Sequence, residues 1–160
     1  MTVKIKKKAF SFAAVLVMLS TCVFAADTLS GSGTKQDPYS IASPDDLCTL
    51  ARLSVTDSFE GKFFALTNDI DFENDGYFTY DTQGSIAYVD SEVMTFKPIG
   101  SASVPFKGSF DGKGYSVRGL CLEEKDGLCA LFGYADGAQI SNLIIFDSYA
   151  SGSSTTALLC

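Results

Sequence analysis

Histidine and tryptophan are both absent from all 160 residues. Without an imidazole there is no Ser-His-Asp or Cys-His arrangement and no histidine-ligated metal, which removes the commonest nucleophile-base systems. Zinc is further disfavoured because no Cys-x-x-Cys pair occurs. Basic residues are scarce: twelve Lys and Arg stand against nineteen Asp and Glu, a net charge of −7. Four of the twelve lie before Ala26, so a chain starting there carries eight basic and nineteen acidic residues, a net −11. Such acidity argues against nucleic acid and anionic membranes as partners. It equally describes a plain solvated surface. After Phe24 no apolar run is long enough to span a bilayer.

What is present begins with an export signal. Lys4, Lys6, Lys7 and Lys8 precede an apolar run from Ala9 to Phe24, which ends in the small-residue pattern Val23-Phe24-Ala25. Cleavage is expected after Ala25, giving a secreted or cell-surface chain with no membrane insertion of the mature part. An uncleaved anchor is the alternative, against which the run falls short of the roughly 20 residues a span needs. Leu19-Ser-Thr-Cys22 also loosely resembles a lipoprotein box, with Thr21 where a smaller residue is usual. The expected organisation is a signal peptide over 1–25, an extended lead-in over 26–42 and one domain over 43–160. Cys48, Cys121, Cys129 and Cys160 remain after cleavage and allow three full pairings, with buried thiols as the alternative to any of them.

Ser43-Pro44-Asp45-Asp46 reads as a helix start, with Ser43 as N-cap, Pro44 at the first helical position and two carboxylates complementing the dipole. Leu47, Leu50 and Ala51 share one face of a helix over about 44–54, expected to cap the first turn of a solenoid. Residues 62–72 alternate polar and apolar through Phe64, Leu66, Ile70 and Phe72, with a slip of parity at Asn68-Asp69 that suggests a bend between two strands. Residues 73–95 have no sustained period and read as an insertion, hairpin-like around Gly76 and Gly84. Beyond it, Phe106 and Phe110 share a face, Asp111-Gly112 turns the chain, and Tyr115 and Val117 resume the inward pattern. Val117, Gly119, Leu120 and Leu122 are echoed, at an offset of 23, by Ile140, Asn142, Leu143 and Ile145. A repeat of that length is one turn of a solenoid, which buries its apolar face only against neighbouring turns. The echo therefore favours a solenoid corner at Asp111-Gly112 over the hairpin that Asp-Gly otherwise signals. Ala157-Leu-Leu-Cys160 repeats Ala130-Leu-Phe-Gly133 at an offset of 27. Further repeats of the same polypeptide are expected to come after Cys160 and to pack on this one.

Several short motifs in order carry a resemblance: Asp69-Ile-Asp71, Lys97-Pro-Ile-Gly100, Phe106-Lys-Gly-Ser-Phe-Asp-Gly112, Arg118-Gly-Leu120, and Leu131-Phe-Gly133 followed by Ile140-Ser-Asn-Leu143. They resemble the N-terminal rungs of bacterial surface proteins with the GLUG motif, found in large secreted proteins including the non-catalytic regions of some immunoglobulin A-cleaving metalloproteases. The resemblance covers about residues 31–160. It implies a right-handed parallel β-helix and an extracellular role, usually adhesive or unassigned; with the short N-terminal capping helix read above, the expected fold is all-β.

Candidate chemistry is sparse. Carboxylate pairs occur at Asp45/Asp46, Asp69/Asp71 and Glu123/Glu124, the residue type a glycosidase or lyase uses. The first pair is better spent on the helix start, and the resemblance assigns Asp69 and Asp71 no catalytic role. Asp71, Glu73 and Asp75 with Gly76 follow the first half of an EF-hand loop, but Thr82 stands where a bidentate Glu is required. Tyr77, Phe78, Tyr80 and Tyr88 cluster in the insertion, either exposed for stacking on sugars or a protein partner, or packed down as a lid. No catalytic residue, cofactor or metal ligand is expected. The expected function is a non-enzymatic, structural or adhesive β-helix module contacting surface glycans or host proteins. The alternative is the non-catalytic N-terminal region of a secreted protease or polysaccharide-degrading enzyme.

Overall fold

The structure, a computed structural model, describes residues 28–73, 78–80, 82, 86–89, 96–124, 128–152, 156–157 and 159. It is built mostly of short strands with one short helix. The strands are β1 (Tyr39–Ile41), β2 (Phe63–Leu66), β3 (Ile70–Asp71), β4 (Phe78–Tyr80), β5 (Ile86–Val89), β6 (Ser109–Asp111), β7 (Ser116–Arg118), β8 (Cys121–Glu124), β9 (Gln139–Ser141), β10 (Ile144–Phe146) and β11 (Tyr149–Gly152), with α1 (Pro44–Leu53) after β1. Three of the four sheets are parallel, ordered β1-β2-β6-β9, β3-β7-β10 and β8-β11; β4 and β5 form an antiparallel pair.

The helix starts as its sequence dictates. Ser43 has extended backbone and its Oγ accepts from Asp46 N at 3.2 Å, with Pro44 in the first turn. Asp46 answers by accepting from Ala42 N at 3.0 Å, a reciprocal cap. Leu47, Leu50 and Ala51 are buried. Ser54, itself buried, donates to Ala51 O and accepts from Gly100 N, fastening the end of the helix to the first turn of strands. The lead-in is also folded: Leu29 joins the core, Ser30 bridges Ser40, and β1 pairs with β2.

Strands far apart in sequence lie side by side in parallel register. One inward row runs Tyr39, Phe64, Phe110, Ile140 across the first sheet, and another Ile70, Val117, Ile145 across the second. Aromatic rings fill the space between them. Phe106 lies 5.8 Å from Phe64 and 5.2 Å from Phe132, and Phe132 lies 5.4 Å from Phe110. The parity slip at Asn68-Asp69 is the passage from β2 in one sheet to β3 in another. Likewise β6 and β7 do not pair with each other across Asp111-Gly112, so that turn is a corner and not a hairpin.

Two sequence expectations need correction. The stacking offset is not 23: Ile140 pairs with Phe110, an offset of 30, and Ile145 with Val117, an offset of 28. The chain holds several short strands of similar pattern, and the echo at offset 23 matched β7 with β9, which belong to different sheets. The offset of 27 does hold, since Cys129 bridges Thr156 and Phe132 N donates to Leu159 O. Tyr115 does not continue the inward pattern: it is 38% exposed, because Gly114, in left-handed backbone, turns the chain just before it. Of the cysteines, Cys121 and Cys129 follow the buried-thiol alternative. Both are buried thiols, and the Cys129 thiol donates to Ser151 O.

The insertion has a visible cost in chain length. Ile99 stands 29 positions after Ile70 in the first turn, whereas their partners in the second, Phe132 and Val117, are separated by 15. The β4–β5 pair accounts for the hairpin expected there; Gly76, Gly84 and Tyr77 lie outside the described residues. Corners stack as strands do. Gly119 and Asp147 are adjacent, joined by Gly119 N to Asp147 O at 3.0 Å, and both adopt positive φ, 68° and 44°. Glycine is indifferent to that conformation and aspartate tolerates it, so two unlike residues occupy one structural position.

Candidate functional site

The side of β3, β7 and β10 turned away from the core carries the densest polar arrangement. Alternation along each strand directs Asp71, Arg118 and Phe146 outward in one row and Ser116 and Ile144 in the next, with Asp69 beside Ser116. Asp69 Oδ1 accepts from Ser116 N and from Ser116 Oγ, both at 2.8 Å. Asp71 Oδ2 accepts from Arg118 Nε at 2.8 Å and pairs with its Nη2, while Oδ1 accepts from Glu73 N at 2.9 Å. These carboxylates tie β3 and the residue before it to β7.

The same bonds set their ionisation. Asp69 is held below the usual carboxylate range by its backbone and side-chain bonds from Ser116, and Asp71 by the Glu73 amide and then Arg118. A general acid at neutral pH needs the opposite, a carboxyl whose pKa is raised. The EF-hand-like reading loses its first ligand for a related reason: a guanidinium already sits on Asp71. Among the described residues no group of three or more acidic or sulfur side chains is placed to hold a metal. Asp75 lies outside them. Asp46 is consumed by the helix cap, as its position implies. Glu123 and Glu124 lie on β8 opposite Ser151 and Gly152.

A second carboxylate joins the next pair of turns. Asp111 accepts from Asn142 Nδ2 at 2.9 Å and from Lys113 N at 2.9 Å, with Lys113 Nζ at 3.0 Å. The Asn142 bond and then the Lys113 bonds lower its pKa from 3.8 to about 2. A carboxylate depressed by folding stabilises the native state above its unfolded pKa, and that contribution is lost as pH falls through the folded value. The denaturation midpoint of the protein should therefore drop between pH 3.8 and about 2. Asn142→Ala should flatten that drop; an unchanged acid slope in the variant would show that this contact does not stabilise the fold.

Beside the polar rows lies an apolar strip. Ile144 is 51% and Phe146 44% exposed, and Tyr115 flanks Ser116. Ile144-Ile-Phe146 carried a signal for this, since a strand with three successive apolar residues must present some of them to solvent. Such a surface, with rings beside a guanidinium and two carboxylates, suits stacking on sugar rings or docking of a protein side chain. A half-open cleft of about 450 Å³ lies elsewhere, between the lead-in and the end of α1, lined by Leu29, Tyr39, Leu53, Asp57 and Phe59. Its one carboxylate, Asp57, already accepts from Phe59 N at 2.8 Å.

Among known proteins, the chain is similar to one from Evansella cellulosilytica that bears the name Gly-rich membrane protein, with 29% identity over 133 residues. The match takes in 81% of this chain but 13% of that protein's length. No family model and no solved structure matches the chain. Among the described residues no helix is long and apolar enough to cross a membrane.

Proposed function

We propose that this chain is a secreted or cell-surface module of the GLUG-motif kind, a right-handed parallel β-helix that is structural or adhesive and not an enzyme. The observation that carries the reading is the set of parallel ladders in which β6, β7 and β8 pair with β9, β10 and β11 at sequence offsets from 28 to 30, together with the helix α1 near the start of the first sheet. A right-handed course is the expected one for parallel strands joined by crossovers in one sheet. Asp69, Asp71 and Asp111 serve in this reading as ties between turns. The strip of Tyr115, Ile144 and Phe146 offers the contact surface for glycans or host proteins.

Two measurements test it together. The exported protein should begin at Ala26 by N-terminal sequencing, and it should bind members of a panel of surface glycans and extracellular-matrix proteins. Ile144→Ser with Phe146→Ser should weaken that binding while leaving the melting temperature nearly unchanged, since both side chains are already exposed. Intact Met1 on a cytosolic protein, or binding indifferent to the double substitution, would defeat the reading.

A further inference from the structure

A groove of about 250 Å³ lies over the outward face of the first sheet, which is not the sheet that carries Ile144 and Phe146. Its floor follows from the strand pattern. Phe64 and Phe110 are buried in the core, so alternation turns Phe63, Ala65, Ser109 and Asp111 outward, and the register continues these two rows to Gln139 and Ser141 on β9. Ala65 is the smallest of the six. It stands between Ser40 and Asp111 in its row, which leaves a dip beside the half-buried Phe63.

Two fixed turns bring lysines to this floor. The lead-in turn that carries Lys35 is closed by Ser32 N and Thr34 N, which both donate to Asp37 O, and Phe63 N donates to Gly33 O at 3.0 Å, pinning the turn to the start of β2. Lys113, at the corner after β6, donates its N–H to Asp111 Oδ1. Much of the polar lining is uncommitted. Lys113 Nζ is paired with Asp111, but among the described residues the side chains of Lys35, Ser109, Gln139 and Ser141 make no hydrogen bond or ion pair. The groove therefore sets two lysines against one carboxylate, in a chain whose net charge is −7.

We infer that this groove is a binding site for an acidic sugar, a pyranose ring bearing a carboxylate, as in a hexuronate residue of a glycan. The C–H face of such a ring packs on Phe63, its hydroxyls bond to Ser109, Gln139 and Ser141, and its carboxylate takes a charge-assisted hydrogen bond from Lys35. The volume falls just below the roughly 300–1,000 Å³ of sites for drug-sized ligands, which suits a single ring. A simple anion would use Lys35 and leave the apolar floor uncovered. This surface is independent of the strip of Tyr115, Ile144 and Phe146, and the inference holds whether or not that strip binds anything.

Amide-resolved NMR of the full chain, titrated separately with methyl glucuronide, methyl glucoside and inorganic phosphate, tests this. Methyl glucuronide should shift the amides of Phe63, Ser109 and Gln139 and bind about tenfold tighter than methyl glucoside, the difference one charge-assisted hydrogen bond makes. Lys35→Gln should erase that preference and Gln139→Ala should weaken both sugars, each at an unchanged melting temperature because both side chains are exposed. Equal binding of the two sugars overturns the inference, as does a preference that survives in Lys35→Gln. Phosphate binding in the groove as tightly as methyl glucuronide overturns it too, since the groove would then recognise charge alone. Shifts confined to Tyr115, Ile144 and Phe146 would overturn it while supporting the strip, and shifts nowhere would overturn it outright.

Discussion

Replacing Phe106 with alanine should destabilise the protein by about 3–5 kcal/mol, the range for a fully buried phenylalanine whose cavity cannot collapse. Phe106 has no exposed surface and its ring centroid lies within 6.3 Å of those of Phe59, Phe64 and Phe132, residues supplied by three separate stretches of chain. None of these rings can move in without leaving its own contacts. Since a domain of this size is stable by only about 5–15 kcal/mol, the variant should be close to unfolding. Ile140→Ala removes a side chain from the equivalent row in the last turn, where it is half-buried, and should cost about 1–2 kcal/mol. Urea denaturation of both variants gives the comparison. Equal losses would mean that the last turn is as fully packed as the middle one.

Gly112→Ala is the second large effect, and its sign is the informative part. At a position that tolerates a side chain, Gly→Ala stabilises by about 0.4–1 kcal/mol by restricting the unfolded chain. Here a Cβ would stand 2.4 Å from Asn142 O and 2.6 Å from Leu143 Cα, both backbone atoms of the next turn. The turns must part for it to fit, weakening the bonds from Gly112 N to Ser141 O and from Asn142 Nδ2 to Asp111. A loss of about 3 kcal/mol is expected, the upper part of the overpacking range. A melting temperature that rises in the variant would show that these two turns are not in contact at Gly112.

What could be read in advance was local. The N-cap at Ser43, the apolar face of α1, the bend at Asn68-Asp69 and the burial of Phe106 and Phe110 each depend on residues within a few positions of one another. The pairing between turns does not. Gly119 and Asp147 share a corner and Phe110 and Ile140 share a row, although neither pair is alike in sequence; what they share is tolerance of one backbone conformation or a place in one apolar row. The likeness between short apolar strands was therefore visible, and their pairing was not. The outward face was legible as acidic residues only. That Asp69 and Asp71 would be met by Ser116 and Arg118, 47 positions on in both cases, depends on the register and on nothing in the local sequence.

The register is thus the claim on which the ties and the core rows both rest. Nuclear Overhauser contacts between backbone protons of stacked strands report it directly, since parallel neighbours lie about 4.8 Å apart. The account predicts contacts from Val117 to Ile70 on one side and Ile145 on the other, together with contacts from Phe110 to Phe64 and Ile140. Contacts linking Val117 to Ile140, as the echo at offset 23 would place them, or linking β6 to β7 across Asp111-Gly112, would contradict it.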